Sequence, residues 1–189
     1  PDRADLAGRA GGAVSDGSDL SAAPLVGAFD DPLGCNDDLG DDALGNLAPP
    51  PTVAIQRADI NVKGLNVAIA DLPGRAGERS KWREELPHCT AIVLVVDATD
   101  VLRMPVVRHE LWKLEALLKE LQVPCLVLAN KQDLPGACSA KEVRLQLRLD
   151  ALEARLGIAC AVRPSTAADA AQLVEALDWL LTHAGSTSE

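Results

Sequence analysis

Three short apolar runs constrain the fold more than any other feature of this chain. They read AIVLVVDA (91–98), VPCLVLAN (123–130) and GIACAV (157–162). Continuous runs of this length, rich in β-branched residues, are typical of strands buried on both faces of a parallel sheet. The spacing of apolar residues predicts helices over 106–121, 139–149 and 169–185. Strands that alternate with helices predict an α/β domain with a mostly parallel sheet.

Two further stretches, TVAIQRADINV (52–62) and LNVAIADL (65–72), flank Lys63 and Gly64. This arrangement predicts a β-hairpin. The 189 residues suit one domain of ordinary size, and the hydrophobic fraction of 48% is enough for a core. No apolar run approaches the roughly 18 residues of a transmembrane span.

The negative charge is concentrated at the front of the chain. The first fifty residues hold ten aspartates and two arginines, which account for eight of the ten net negative charges. We predict a flexible acidic arm over 1–24, followed by a domain over 25–185. The arm has no bulky apolar face, so direct membrane insertion is not expected. The acidic charge also opposes nucleic acid as a partner.

The five cysteines are odd in number and have no paired spacing. This pattern argues against a disulfide framework or a zinc site and predicts a reducing compartment. That compartment would be the cytoplasm, another intracellular space, or an organelle reached after N-terminal processing.

Polar motifs follow two of the predicted strands, where ligands bind in parallel sheets. NKQD (130–133) can recognise guanine, because a carboxylate accepts from its N–H groups and an amide meets its acceptors. DLPG (71–74) can place a carboxylate near Mg²⁺ and a backbone N–H near phosphate. Thr52, after Pro51, offers a hydroxyl where a Mg²⁺ ligand could lie. The alternatives are a polar loop for the first motif and an ordinary turn for the second.

These motifs, taken in order, resemble a known family. Pro51-Thr52, Asp71-x-x-Gly74, VVDATD (95–100), NKQDLPGA (130–137) and EALDWLL (175–181) are similar to the Arf and Arf-like small GTPases of the Ras superfamily. The resemblance spans about residues 51–181. It implies the three-layer G-domain fold of P-loop NTPases, with a mostly parallel six-stranded sheet and helices on both faces.

The resemblance also implies a site for GTP or GDP with Mg²⁺. The residues that would contact the nucleotide are Asn130, Lys131, Asp133, Thr166, Ala167, Gly74 and Gly27. The residues that would hold Mg²⁺, if Mg-nucleotide binds at all, are Thr52 and Asp71. No catalytic residue is expected, and the alternative expectation for cofactors is that there are none.

The phosphate loop departs from the family's G-x-x-x-x-G-K-[ST]. Counting places that motif on 27–34, which reads GAFDDPLG. The second glycine falls on Pro32, the lysine on Leu33 and the hydroxyl on Gly34. Proline lacks a backbone N–H, leucine cannot neutralise phosphate, and the two aspartates are repelled by it. We therefore interpret 25–50 as a degenerate phosphate-loop and first-helix region.

The second switch departs as well. Pro73 replaces a glycine, and Arg75 replaces the glutamine that orients the attacking water. Three aromatic positions of the family's effector surface fall on Ile55, Ala70 and Glu85.

Two hypotheses follow. The first is an Arf-like pseudo-GTPase that does not hydrolyse GTP and serves as a protein-binding module or a subunit of a larger complex. The alternative is a guanine-nucleotide switch with atypical phosphate contacts, for example through Arg75, and slow or no hydrolysis; any activity would be that of a GTP hydrolase. In a third hypothesis, compatible with the first, the front fifty residues fill the empty site or dock a partner.

Overall fold

The computed structural model describes residues 25–27 and 52–184. It contains one six-stranded sheet in the order β2-β3-β1-β4-β5-β6. The strands are β1 Leu25–Gly27, β2 Gln56–Val62, β3 Leu65–Asp71, β4 Ala91–Asp97, β5 Cys125–Asn130 and β6 Cys160–Pro164. The β2–β3 pair is antiparallel and the other four pairs are parallel. The predicted arm over 1–24 and the phosphate-loop region over 28–50 lie outside the described residues.

Within residues 52–184, six α-helices accompany the sheet. They are α1 Ser80–Glu85, α2 Met104–Lys113, α3 Glu115–Leu121, α4 Ala140–Leu147, α5 Leu149–Leu156 and α6 Ala170–Ala184. In the described part of the chain, no helix is long and apolar enough to cross a membrane.

In the described residues, two apolar cores lie between the sheet and the helix layers on its two faces. One core joins the sheet to α1 through α5, with Trp82, Leu118 and Leu152 among its buried members. The other joins the opposite face to α6 through residues such as Leu177 and Leu180. Helices therefore cover both faces of a mostly parallel sheet, which confirms the predicted three-layer fold.

The hairpin lies where the sequence predicts it. Lys63 and Gly64 both have positive φ, 50° and 88°, which is the geometry of a type I′ turn. The Asn61 side chain accepts a hydrogen bond from the Gly64 N–H at 3.0 Å. This turn twists with the strands and sets their register, in which Asn61 faces Asn66.

The prediction of one continuous helix over 106–121 is wrong. The segment is two helices, α2 and α3, that meet at Leu114 (φ −87°, ψ −2°). The apolar spacing continues across this break, since Leu111, Leu114 and Leu118 are all buried in the same core. Periodicity alone therefore could not reveal it.

The third buried strand is shifted from its predicted position. The sequence favours 157–162, but β6 is Cys160–Pro164. Gly157 instead ends α5 in the left-handed conformation, with φ 71°. Helix α5 was not predicted. The helix predicted over 139–149 ends at Leu147, because Arg148 is left-handed with φ 55° and separates α4 from α5.

Candidate functional site

Asn130 is the last residue of β5 and lies at the carboxyl end of the parallel strands. Its side-chain oxygen accepts a hydrogen bond from the Ser165 hydroxyl at 3.3 Å. Ser165 is buried, and its backbone N–H donates to the Ala129 carbonyl at 3.0 Å. The loop after β5 is thus joined to the loop after β6. Ser165 was not predicted as a site residue.

A second link joins the same two loops. The Thr166 hydroxyl donates to the Asp133 carboxylate at 2.7 Å, and the Gln132 N–H donates to the Ser165 carbonyl at 3.2 Å. The hydrogen bond from Thr166 is the main cause that lowers the pKa of Asp133 from its ordinary value. Ala167 follows in the same loop and is exposed. The residues predicted to recognise guanine are therefore brought together.

Lys131 has a positive φ of 64°, which turns the chain sharply after β5. Its ammonium group contacts the Asp97 carboxylate at 2.7 Å. Asp97 ends β4, and it also accepts from the Thr99 N–H at 2.9 Å and from the Thr99 hydroxyl at 2.6 Å. Burial acts to raise the pKa of Asp97, but the hydrogen bonds from Lys131 and Thr99 outweigh it and lower the pKa. Asp97 was not predicted as a site residue.

The two residues predicted to bind magnesium, Thr52 and Asp71, are in contact. The Thr52 hydroxyl donates to the Asp71 carboxylate at 3.0 Å. Asp71 ends β3 directly beside Gly27, its register partner at the end of β1. The Asp71 carboxylate at the end of β3 and the Thr52 hydroxyl in the loop before β2 are oxygen donors of the kind that Mg²⁺ prefers, so the pair fits the ion. Within the described residues, no group of three or more His, Cys, Asp or Glu could hold a metal ion.

The segment after Asp71 is anchored through its backbone. The Trp82 indole N–H donates to the Pro73 carbonyl at 2.9 Å, and the Arg79 Nε–H donates to the Gly74 carbonyl at 2.9 Å. Pro73 and Gly74 are both buried. Arg75, which stands where the family has its glutamine, is exposed.

Arg79 also ties this segment to α2. Its guanidinium lies 3.5 Å from the Glu110 carboxylate, and the two side chains are only 8% and 14% exposed. It also lies over the Trp82 ring, 5.8 Å from the centroid. Lys113 neutralises Glu110 from the solvent side at 2.9 Å. The anchor is therefore a buried network of charges.

The three positions where the family's effector surface has aromatic residues differ in exposure in this chain. Ala70 is fully buried and Ile55 packs against the core. Glu85 accepts two hydrogen bonds from Arg57, each 2.8 Å long. An ion pair thus stands where the family's effector surface has an aromatic side chain.

Apart from Thr52, which precedes β2, the predicted site residues lie at or just after the carboxyl ends of parallel strands, which is where such sheets bind ligands. The linked loops after β5 and β6, together with the Thr52–Asp71 pair, form the candidate site at this end of the sheet.

Comparison with known proteins identifies the family to which this chain belongs. Residues 39–184 match the model of the ADP-ribosylation factor (Arf) family. The ADP-ribosylation factor-like protein 1 of Saccharomyces cerevisiae is 37% identical over 132 residues, which cover 69% of this chain and 70% of the yeast protein. The chain therefore belongs to the Arf family of small GTPases.

Other relatives agree with this assignment. The ADP-ribosylation factor 1 of Brassica rapa subsp. pekinensis is 32% identical over 133 residues, covering 69% of this chain and 70% of that protein. The structure of the Arl6 BBS3 small GTPase of Trypanosoma brucei, which contains the nucleotide analogue GppNp, superposes with a TM-score of 0.66. It is 26% identical in sequence, and the match covers 76% of this chain and 86% of that one.

Proposed function

We propose that this chain is an Arf-like pseudo-GTPase, which does not hydrolyse GTP and serves as a protein-binding module or as a subunit of a larger complex. The observation on which the proposal depends is the sequence GAFDDPLG at 27–34. It begins at the last residue of β1, where the spacing back from Pro51 puts the family's phosphate loop, and it contains neither the lysine nor the following Ser or Thr.

Each replacement weakens phosphate binding for a physical reason. Pro32 removes one N–H group from a loop that binds phosphate through its N–H groups. Leu33 brings no positive charge. Asp30 and Asp31 add two carboxylates, and a like-charge contact at about 4 Å costs roughly 4 kcal/mol at the effective dielectric near a protein surface.

The second switch supports the absence of hydrolysis. Arg75 has no acceptor with which to orient an attacking water, whereas glutamine can both donate and accept. The neighbouring carbonyls of Pro73 and Gly74 are held by Trp82 and Arg79. A segment fixed in this way is suited to a constant surface more than to one that changes with the nucleotide.

A specific observation favours the alternative, a guanine-nucleotide switch. The Thr166 hydroxyl donates to the Asp133 carboxylate at 2.7 Å, which holds together the two loops proposed to recognise the base. In this alternative, Thr52 and Asp71 would hold Mg²⁺, which would neutralise phosphate charge when bound. The exposed Arg75 would contribute the remaining positive charge.

The expected partner is a protein, and we propose a reducing compartment as its setting. The exposed Arg57 and its ion pair with Glu85 give the effector-side surface a polar character, which favours a partner with its own charged groups. The four cysteines in the described part of the chain are all free. Free, largely buried thiols are typical of reducing compartments.

Phosphate release from GTP tests the absence of hydrolysis. The purified full chain is incubated with GTP and Mg²⁺, and inorganic phosphate is followed over hours. The proposal expects no release above the blank without protein, for both the natural chain and Arg75→Gln. Release that depends on the protein and stops in Asp133→Asn would contradict it.

A restoration experiment tests whether 27–34 is a decayed phosphate loop. Pro32→Gly combined with Leu33→Lys should increase the affinity for fluorescent GDP. The matched control is Pro32→Gly with Leu33→Gln, which restores the backbone but not the charge. Equal affinities in both variants would show that a lysine at this position does not reach phosphate, and that the segment is no decayed phosphate loop.

A further inference from the structure

The strand β6 forms one edge of the sheet, and its hydrogen-bonding pattern shows which backbone groups face outward. The Ala159 carbonyl accepts from the Cys125 N–H at 2.9 Å, and the Ser165 N–H donates to the Ala129 carbonyl at 3.0 Å. Backbone groups alternate in direction along a strand. Because 159 and 165 face β5, the N–H and carbonyl groups of Cys160 and Val162 face away from the sheet.

Side chains cover the first of these two outward positions. The Cys160 N–H donates to the Glu153 carboxylate at 3.2 Å, and its carbonyl accepts from Arg144 at 3.0 Å. Arg144 also contacts Glu153 and Asp150 at 2.5 and 2.6 Å. The two carboxylates neutralise Arg144, so this end of the edge is closed.

The second position, at Val162, has no hydrogen bond from a described side chain. Among the described residues, none forms a hydrogen bond with the outward N–H or carbonyl of Val162. Val162 instead borders a groove of about 510 Å³ between β6, α4 and α6. An unpaired strand edge beside a groove is the feature to which extended peptides bind by adding a strand.

The walls of the groove indicate the chemistry of its ligand. Lys141 and Arg163 line it, are exposed, and form no ion pair with a described carboxylate. Trp179 and His183 line the other side as a stacked pair, with ring centroids 4.3 Å apart. The positive charges favour carboxylates, and the aromatic pair offers a flat apolar surface for an adjacent side chain.

We propose that the β6 edge binds an extended acidic segment of a partner protein, which pairs with Val162 and places carboxylates against Lys141 and Arg163. This inference rests on the protein-binding role proposed above and names its surface. None of the residues predicted to bind nucleotide lines the groove. The two proposals can therefore fail separately.

The test uses the full chain labelled with ¹⁵N and a capped synthetic peptide of alternating glutamate and valine. Titration should shift the Val162 amide resonance saturably and slow its hydrogen exchange, because that N–H gains an acceptor. The double variant Lys141→Glu/Arg163→Glu should bind about tenfold more weakly, as expected for reversing two surface charges. The control Lys119→Glu/Arg148→Glu has the same net charge and should bind as the natural chain does.

Two modified peptides separate strand addition from simple charge attraction. A peptide that is N-methylated at every residue keeps its charge but loses the backbone donors of both strand edges, and it should not bind. A peptide with lysine in place of glutamate should not bind either. The proposal is overturned if the Val162 amide does not respond to the first peptide, or if either modified peptide binds equally well. Fluorescent GDP added to the same sample reports separately on the pseudo-GTPase proposal.

Discussion

Arg79 is the residue whose loss should most weaken the anchored segment after β3. In Arg79→Met the methionine keeps much of the apolar stem but removes the bond to the Gly74 carbonyl and the contact with Glu110. A buried carbonyl left without its charged donor costs about 1–3 kcal/mol. A largely buried carboxylate that loses a partner adds to this, although Lys113 still neutralises part of the charge. We expect the free energy of unfolding to fall by about 2–4 kcal/mol.

Urea unfolding, followed by circular dichroism at constant temperature, measures this loss. The midpoint should fall while the slope with urea concentration stays unchanged. The matched control is Arg155→Met, which removes an ion pair with Glu115 in which the arginine side chain is 61% exposed. That variant should lose less than about 1 kcal/mol. Equal losses in the two variants would refute the claim that Arg79 anchors the segment.

Three further predictions concern named side chains. Burial raises the pKa of the Cys89 thiol to about 11. The stability that Cys89 contributes is therefore present below its unfolded pKa and is lost as pH rises toward the folded value. Unfolding measured at increasing alkaline pH should show a loss of about 2 kcal/mol near pH 10.5, and this loss should be missing in Cys89→Ala. The lowered pKa of Asp97 gives stability that is lost as pH falls below about 4. In the same assay, the free energy of unfolding of Asp97→Asn should therefore decline less steeply in acid. A decline as steep as that of the natural chain would contradict this. Trp82→Phe removes the donor to the Pro73 carbonyl and should cost about 1–3 kcal/mol in urea unfolding; a loss below about 0.5 kcal/mol would contradict it.

Much of the fold could be predicted because the buried strands differ clearly in composition from the helices. The runs at 91–98 and 123–130 are too apolar for an exposed position, and both are strands of the observed sheet. The break at Leu114 and the start of β6 could not be predicted in the same way. The apolar pattern continues unchanged through both, and only the backbone conformation of a single residue, Leu114 or Gly157, marks each boundary.

The site shows a similar division. Asn130 and Asp133 could be proposed from the sequence because NKQD falls at the end of a buried parallel strand, where such sheets bind ligands. Asp97 lies in the same way at the end of β4, but its contact with Lys131 depends on the pairing of β4 with β5. Ser165 could not be found in this way, because its role depends on the pairing of β5 with β6 and on its own burial.

The affinity of the natural chain for GDP tests the central claim most directly. Calorimetric titration of the purified full chain is performed with GDP, in Mg²⁺ and in EDTA, beside Asp133→Asn. The pseudo-GTPase account predicts a dissociation constant weaker than about 100 μM that does not depend on Mg²⁺. A nanomolar constant that requires Mg²⁺ and is lost in Asp133→Asn would contradict that account and support a nucleotide-binding switch.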